Sequence, residues 1–214
     1  MLVHLLVHSL LLTLLTQSTP GSDHRWSFDA DSLGGLPAGW RIRGSEKPVY
    51  QVNVDPGGNR YLAATSQGSD SQLGTQLAAQ PLEYPILSWR WRALELPRGA
   101  DERNSRTLDS GASVYAVFGS RFFPRILKYV WSTTVPAGSS FKHPASDRMA
   151  IFVVNSGAGS LGMWQQVNRN IVDDYRKAFG FPPGRLIAIA VKTDSDSTNS
   201  SARADYDDIQ LTRR

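Results

Sequence analysis

Apolar and polar residues alternate along short runs of the chain, and turn residues separate these runs. In residues 86–93, Trp89 and Trp91 fall on one side of the segment, while Arg90 and Arg92 fall on the other. Such period-two alternation is typical of strands that cover a core with one face. Comparable runs rich in Val, Ile, Trp and Tyr recur, namely residues 26–28, 40–43, 49–54, 61–65, 112–118, 126–133, 149–155, 186–193 and 202–211. Many short strands divided by Gly and Pro loops predict an all-β protein, an antiparallel β-sandwich of jelly-roll type.

Two local departures from this pattern carry their own predictions. Residues 172–179 have acids in the first turn, bases later and Gly180 directly after, which predicts one short α-helix. The last run keeps its apolar residues at even positions up to residue 206 and at odd positions from residue 209. A β-bulge at Asp207 and Asp208 would restore one apolar face.

The first residues differ from the rest of the chain. Residues 2–15 are almost purely apolar and, as a helix, would span about 20 Å, less than the ~30 Å core of a bilayer. This length predicts a helical leader, a signal peptide over residues 1–22, followed by a single sandwich domain over residues 23–214. No Lys or Arg precedes the run, so an uncleaved anchor and a buried native helix stay open. With a leader, the protein is exported to the periplasm or the extracellular space and meets the membrane only during export.

Composition narrows the function classes. Hydrophobic residues make up 41% of the 214 residues, which is enough for a sizeable core. The chain has 23 basic and 19 acidic residues, so its net charge is +4. There is no run of five like charges, so no arm for nucleic acid is expected. The absence of Cys excludes disulfide scaffolds, zinc fingers and thiol nucleophiles.

An ordered set of short motifs resembles a bacterial family of exported proteins of unknown function. The set comprises Trp89-Arg90-Trp91, Tyr129-Val130-Trp131, residues 169–180 and residues 193–209. The resemblance covers about residues 26–211 and implies a scaffold similar to the jelly rolls of carbohydrate-binding modules. It supplies no catalytic residues. Sugar-binding jelly rolls of this kind often hold a structural calcium between their first and last strands, which would place a metal at Asp29 and Asp208.

Alternation also points to a ligand face. If the Trp89 side is core, Arg90 lies on an open sheet face, and Tyr115 and Lys128 are candidates for the same face. A cationic and aromatic face suits an acidic saccharide or an envelope glycan. The alternative makes Trp89 and its partner Trp91 stacking platforms for sugar rings. Arg169 is a further candidate for a ligand contact, or else it pairs with an acid at the start of the helix.

A second metal hypothesis rests on residues 193–199. Asp194 and Asp196 place carboxylates at alternate positions, as calcium loops do, but the Gly and Glu of an EF-hand are missing. Asx turns in a polar loop would use the same residues. Structural calcium is therefore the one cofactor that the sequence suggests.

Motifs for catalysis are weak. Residues 157–162 match G-x-G-x-x-G, yet the following residues alternate like a strand where a dinucleotide site needs a helix, so a Gly-rich hairpin loop is expected. Only four Glu occur, and none sits in an E-x-D-x-x-E run. His143 has no evident orienting partner. The sequence therefore favours a non-enzymatic saccharide-binding module, with a glycan-cleaving lyase or hydrolase and a structural or interaction protein of the envelope as alternatives.

Overall fold

The computed structural model describes residues 24–44 and 50–213, and the predicted signal peptide over residues 1–22 lies outside them. The described part of the chain is built almost entirely of strands. The elements are β1 (His24–Trp26), β2 (Arg41–Gly44), β3 (Tyr50–Val54), β4 (Arg60–Gln67), β5 (Ser71–Ala79), β6 (Ile86–Glu95), β7 (Ala112–Phe118), β8 (Arg125–Ser132), β9 (Ser140–His143), β10 (Ser146–Ser156), β11 (Gln165–Asn170), α1 (Ile171–Phe179), β12 (Leu186–Lys192) and β13 (Ser201–Thr212).

The strands form two packed sheets. Sheet I has the order β11-β6-β13-β4-β3, with β1 paired to β13, and sheet II has the order β2-β5-β12-β7-β8-β10-β9. All pairings are antiparallel except the parallel pair of β8 and β10. The predicted all-β sandwich with one short helix is therefore confirmed.

Large aromatic side chains fill the space between the sheets. Trp89 and Trp91 of sheet I are fully buried, as are Tyr129 and Trp131 of sheet II. The rings of Trp89 and Tyr129 lie 5.3 Å apart and those of Trp91 and Trp131 lie 6.1 Å apart, so each pair joins the two sheets. Rings of this size dominate the apolar area that a core buries. The prediction that the tryptophan side is core is confirmed.

The helix stops at Gly180, as the sequence predicts, and it begins at Ile171, one residue earlier than expected. The Asn170 side chain accepts hydrogen bonds from the backbone N–H groups of Val172 and Asp173, at 3.1 and 3.2 Å. Gly180 closes α1 in the left-handed conformation, and its N–H donates to the Arg176 carbonyl. These caps satisfy backbone groups that a helix otherwise leaves unpaired.

The predicted bulge in the last strand is present. The pairing of β13 with β6 shifts register between Asp207 and Gln210, and Asp208 has a φ of 47°. The extra residue keeps Tyr206 and Ile209, on opposite parity, both in the core. Asp208 is thereby turned outward.

Three features of the topology differ from the expectation or go beyond it. Strands β5 and β9 were not expected. In β5 the reason is its sequence, which carries Gln, Gly and Ala where strands usually carry β-branched residues. The Gly-rich segment 157–162 does not close a hairpin; it connects β10 of sheet II to β11 of sheet I. Within the described ranges, no helix is long and apolar enough to cross a membrane.

Candidate functional site

A groove opens on the outer face of sheet I. It has a volume of about 460 Å³ and runs across β3, β4, β13 and β6. The residues that line it combine aromatic, small, charged and amide side chains: Tyr50, Gln51, Asn53, Tyr61, Ala63, Ala64, Thr65, Arg92, Leu94, Arg203 and Asp205.

Strand alternation directs most of these side chains outward, while Tyr50 and Ala64 belong to the core beneath the groove. On β4, Tyr61 and Ala63 alternate with the buried Leu62, and on β13, Arg203 alternates with the buried Ala204. Ala63 pairs directly with Asp205, and Asp205 pairs with Arg92. Because the Ala63 side chain is a single methyl group, it leaves a space between its larger neighbours. This space accounts for the groove at this position of the sheet.

Arginine and aspartate pairs form one wall of the groove and the surface beside it. The Arg92 Nε donates to Asp205 Oδ2 at 2.6 Å. At the next outward-facing position on the same two strands, Arg90 Nη2 lies 2.6 Å from Asp207 Oδ2, and its Nε lies 3.2 Å from Asp208 Oδ2. Burial raises the pKa of both the Asp205 and the Asp207 carboxyl groups, and the hydrogen bonds from the arginines act in the opposite direction.

Two aromatic rings hold the Arg92 guanidinium in place. Its central carbon lies 5.1 Å from the ring centre of Tyr61 and 4.8 Å from that of Trp164. The two rings contact each other edge-on at 5.9 Å, and Arg90 lies 5.1 Å from the Trp164 ring. Stacked guanidinium and aromatic planes lose little freedom when a ligand arrives, so this wall is preorganised.

Arg203 is the basic residue of the groove that forms no ion pair with a described acid. Its side chain is exposed, and among the described residues no carboxylate lies within ion-pair distance of it. Its five N–H donors are therefore available to a carboxylate or sulfate in the groove.

Of the predicted ligand residues, Arg90 lies on the outer face of sheet I as expected. Tyr115 and Lys128 pair with each other on β7 and β8, which belong to sheet II. The prediction that they share a face with Arg90 is therefore wrong. Alternation along each strand placed them correctly on an outer side, but it holds no information on which sheet a strand joins.

The surroundings of Lys128 also differ from an open face. Lys128 and Tyr115 are only 2% and 6% exposed, and the connection between β6 and β7 reaches this side of sheet II through the hydrogen bond between Glu102 and Ser132. In that connection Glu102 is fully buried and accepts hydrogen bonds from the Ser110 and Ser132 hydroxyls. Burial raises the pKa of the Glu102 carboxyl group, although the hydrogen bonds and the Lys128 charge oppose the shift.

The structure supports the alternative for Arg169, in which it pairs with an acid at the start of the helix. Its guanidinium donates two hydrogen bonds to Asp174, at 2.9 and 2.6 Å, and Asp174 also accepts from the Tyr129 hydroxyl at 2.8 Å. Arg169 pairs with Leu87 on the inner side of β6, away from Arg90. Its donors bind the first turn of α1, as the alternative expected, and contact with a ligand stays a prediction.

The two predicted calcium sites differ in how closely their carboxylates lie together. Carboxylate oxygens of Asp194 and Asp196 lie within 4.8 Å of each other and of Asp109, which the sequence did not suggest. The Lys192 ammonium already contacts Asp194 at 2.8 Å, and Asp109 accepts from Thr198. Calcium at this cluster stays a prediction, and thermal melting with and without a chelator tests it.

Asp29 and Asp208 do not form a comparable set. Asp208 faces two guanidinium groups, those of Arg25 at 3.0 Å and Arg90 at 3.2 Å, and Asp29 is exposed. Within the described ranges, neither belongs to a group of three potential metal ligands. The cations that the structure places at Asp208 are arginines.

Sequence analysis did not single out Tyr61, Arg203 and Trp164, and it placed Arg92 on the outer side of its strand without naming it as a ligand residue. Parity could also have placed Tyr61 and Arg203, since each alternates with an apolar neighbour on its strand. Trp164 precedes β11 in an irregular segment, and no periodicity in the sequence indicates its contact with Arg92.

The arrangement offers few groups for catalysis. Asp205 is the one carboxylate among the described residues that line the groove, and glycoside hydrolysis ordinarily uses two. His143 lies on β9 of sheet II, and its Nδ1 accepts from the Ala145 N–H at 3.1 Å. Burial and the charges of Lys128 and Lys192 lower the pKa of His143.

A family model described as a protein of unknown function (DUF3047) matches residues 38–210. This match confirms the expected membership of a family of unknown function. No curated protein matches the sequence.

Several solved structures are similar in architecture. The K2 cleaved adhesin domain of Lys-gingipain matches at 12% identity and a TM-score of 0.47, over 89% of this chain and 99% of that one. A family 30 carbohydrate-binding module from Clostridium thermocellum matches at 12% and 0.42, over 82% and 92%. The CBM22-2 xylan-binding domain from Paenibacillus barcinonensis matches at 14% and 0.43, over 89% and 99%. Because all three TM-scores are below 0.5, nothing about a ligand follows from them.

Proposed function

The chain belongs to the DUF3047 family, since the family model covers most of its length, and we propose that it is a non-enzymatic module that binds an acidic saccharide in the groove of sheet I. The observation that carries this proposal is the wall of the groove, where Arg92 is held between Tyr61 and Trp164 with Arg203 free beside it.

The chemistry of the lining fits a sugar acid. Saccharides present apolar ring faces together with many hydroxyl groups, and they bind shallow sites lined by aromatic and polar side chains. Tyr61 supplies a ring, while Gln51, Asn53 and Thr65 supply donors and acceptors. Since Asp205 is already paired with Arg92, the charge left for a ligand is that of Arg203, which favours a carboxylate-bearing sugar.

Titration calorimetry of the chain with oligogalacturonate, and with a neutral malto-oligosaccharide of equal length, tests this function. We expect measurable binding of the acidic ligand alone. Arg203→Ala and Tyr61→Ala should each weaken it by about tenfold or more, because each removes a charged hydrogen-bonding partner or a stacking surface. Arg41→Ala is the matched control, since Arg41 is exposed on β2 of sheet II.

Two outcomes would contradict the proposal. The first is no binding of either ligand at millimolar concentration, together with no signal from a broad panel of acidic and neutral glycans. Alternatively, release of new reducing ends or double bonds from alginate, pectin or peptidoglycan would show turnover and favour the glycan-cleaving alternative.

Export forms part of the same proposal. The apolar run over residues 2–15 supports a signal peptide that ends near residue 22. Mass spectrometry of the protein recovered from the periplasm of an expressing bacterium would give the mature N-terminus. Protein that stays in the cytoplasm with residue 1 or 2 intact would contradict export.

A further inference from the structure

One end of the sandwich exposes phenylalanine side chains. The turn between β7 and β8 carries Phe122 and Phe123, which are 84% and 72% exposed, and Phe181, after α1, is 43% exposed. Isolated apolar residues are common on surfaces, but adjacent exposed aromatic residues at the tip of a turn indicate a contact surface.

Backbone contacts bring the segments of this end together. The Gly119 N–H donates to the Arg185 carbonyl at 2.8 Å, which joins the β7–β8 turn to the segment after α1. The Arg148 Nε donates to the Pro124 carbonyl at 3.1 Å, which joins the same turn to β10. The exposed rings are therefore parts of one surface, which we call the aromatic–basic end: residues 119–125 and 179–185 with Lys142 and Arg148.

Cations surround the rings. Arg125 lies 4.8 Å from the Phe181 ring centre, and Lys142 lies 3.9 Å from that of Phe179. Residues 119–125 and 179–185 contain no Asp or Glu. The bases at this end are Arg121, Arg125, Lys142, Arg148 and Arg185. With Asp147 beside Arg148 as the nearby acid, the surface carries a clear positive charge.

We propose that the aromatic–basic end binds the surface of an anionic phospholipid bilayer. The phenyl rings of Phe122 and Phe123 enter the boundary between headgroups and acyl chains, and the surrounding bases contact lipid phosphates. This combination of protruding rings and flanking cations matches the layered chemistry of a membrane interface, where an apolar region lies directly beneath anionic groups. The proposal is independent of the groove, because the two surfaces share no residue.

Co-sedimentation of the chain over residues 23–214 with phosphatidylglycerol-containing vesicles tests it, with pure phosphatidylcholine vesicles as the neutral comparison. We expect binding to the anionic vesicles that weakens as NaCl is raised from 50 to 500 mM, since salt screens the attraction of surface charges. Binding of equal strength to both kinds of vesicle, or to neither, would overturn the proposal.

Matched variants separate the two parts of the surface. The double variant Phe122→Ser/Phe123→Ser should reduce partitioning to anionic vesicles at least about tenfold, because it removes two apolar groups that would be buried. Met163→Ser is its control, since Met163 is 60% exposed in the segment that adjoins the far end of β6. Arg121→Glu should weaken binding about tenfold while Arg106→Glu, in the β6–β7 connection, leaves it unchanged.

Circular dichroism and thermal melting of each variant check that folding is intact. The affected side chains are exposed, so we expect melting temperatures close to that of the wild type. Wild-type binding by Phe122→Ser/Phe123→Ser would show that the rings do not insert. A dimer in analytical ultracentrifugation that this double variant dissociates would instead assign the surface to self-association and overturn the lipid proposal.

Discussion

Glu102 illustrates at the residue scale how a buried charge is tolerated in this sandwich. Its carboxylate lies over the outer side of sheet II, where two hydroxyl groups donate to it and the Lys128 ammonium contributes a favourable charge. Burial nevertheless raises its pKa, so the carboxyl group binds a proton more readily in the folded state than in the unfolded chain. In the unfolded chain the group titrates at its ordinary value.

This difference makes the contribution of Glu102 dependent on pH. Because the folded pKa is raised, the folded state binds more protons in the interval above the unfolded value, and stability falls as pH rises through that interval. We expect Glu102→Gln to gain stability relative to the wild type between pH 4 and pH 7. Urea unfolding at both pH values measures this, with the exposed Glu83→Gln as control. An unchanged or reversed difference between variant and wild type would contradict the raised pKa.

Lys192 is a buried cation, whereas Glu102 is a buried acid. Burial by itself lowers the pKa of its ammonium, but the carboxylates of Asp194 and Asp70, at 2.8 and 2.5 Å, raise the pKa above the ordinary value. The Asp194 side chain is 4% exposed, so removal of the ammonium would leave a buried charge without its cation.

We therefore expect Lys192→Met to destabilise the protein by about 3 kcal/mol, as other broken buried ion pairs do. Chemical denaturation gives the value. The double variant Lys192→Met/Asp194→Asn should recover part of the loss, because it removes the unpaired charge. Lys177→Met, on the exposed side of α1, is the control. A cost below about 1 kcal/mol would mean that water or a bound cation replaces the ammonium.

At the scale of elements, alternation predicted more than strand positions. It assigned Trp89 to the core and Arg90 to a surface, and it located the bulge at Asp207 and Asp208. It could not assign strands to sheets, because the pairing of β6 with β13 joins segments more than 100 residues apart. This is why Arg90 and Lys128 were expected on one face, and why the groove, which needs β3, β4, β13 and β6 side by side, was not predicted.

The bulge in β13 also permits a test of backbone strain. Asp208 adopts a φ of 47°, a conformation that Asn and Asp tolerate but that β-branched residues disfavour. Asp208→Asn and Asp208→Val both lose the partly exposed ion pairs with Arg25 and Arg90, which contribute little. We expect the Val variant to be less stable than the Asn variant by about 1–2 kcal/mol. Equal melting temperatures would show that β13 changes its register instead.

For the whole molecule, the two sheets share one continuous core. The buried cluster includes residues of both sheets, with the tryptophans of β6 packed on the aromatic residues of β8. The groove lies on the outer face of sheet I and the aromatic–basic end lies at one end of the strands. Both surfaces are therefore supported by the same interior, so a change in the core would disturb binding at both.

A shared core requires that the sheets unfold together. We expect far-ultraviolet circular dichroism, which follows the strands, and tryptophan fluorescence, which follows the interior, to give coincident unfolding transitions. Trp91→Phe should lower both midpoints equally, at a cost of about 2 kcal/mol, because it removes buried ring area and the hydrogen bond from Trp91 Nε1 to Asn155. Trp164→Phe, in which only the outer surface changes, should move them much less. Transitions that separate in the Trp91 variant would mean that one sheet persists without the other, and the sandwich would then consist of two independently stable layers.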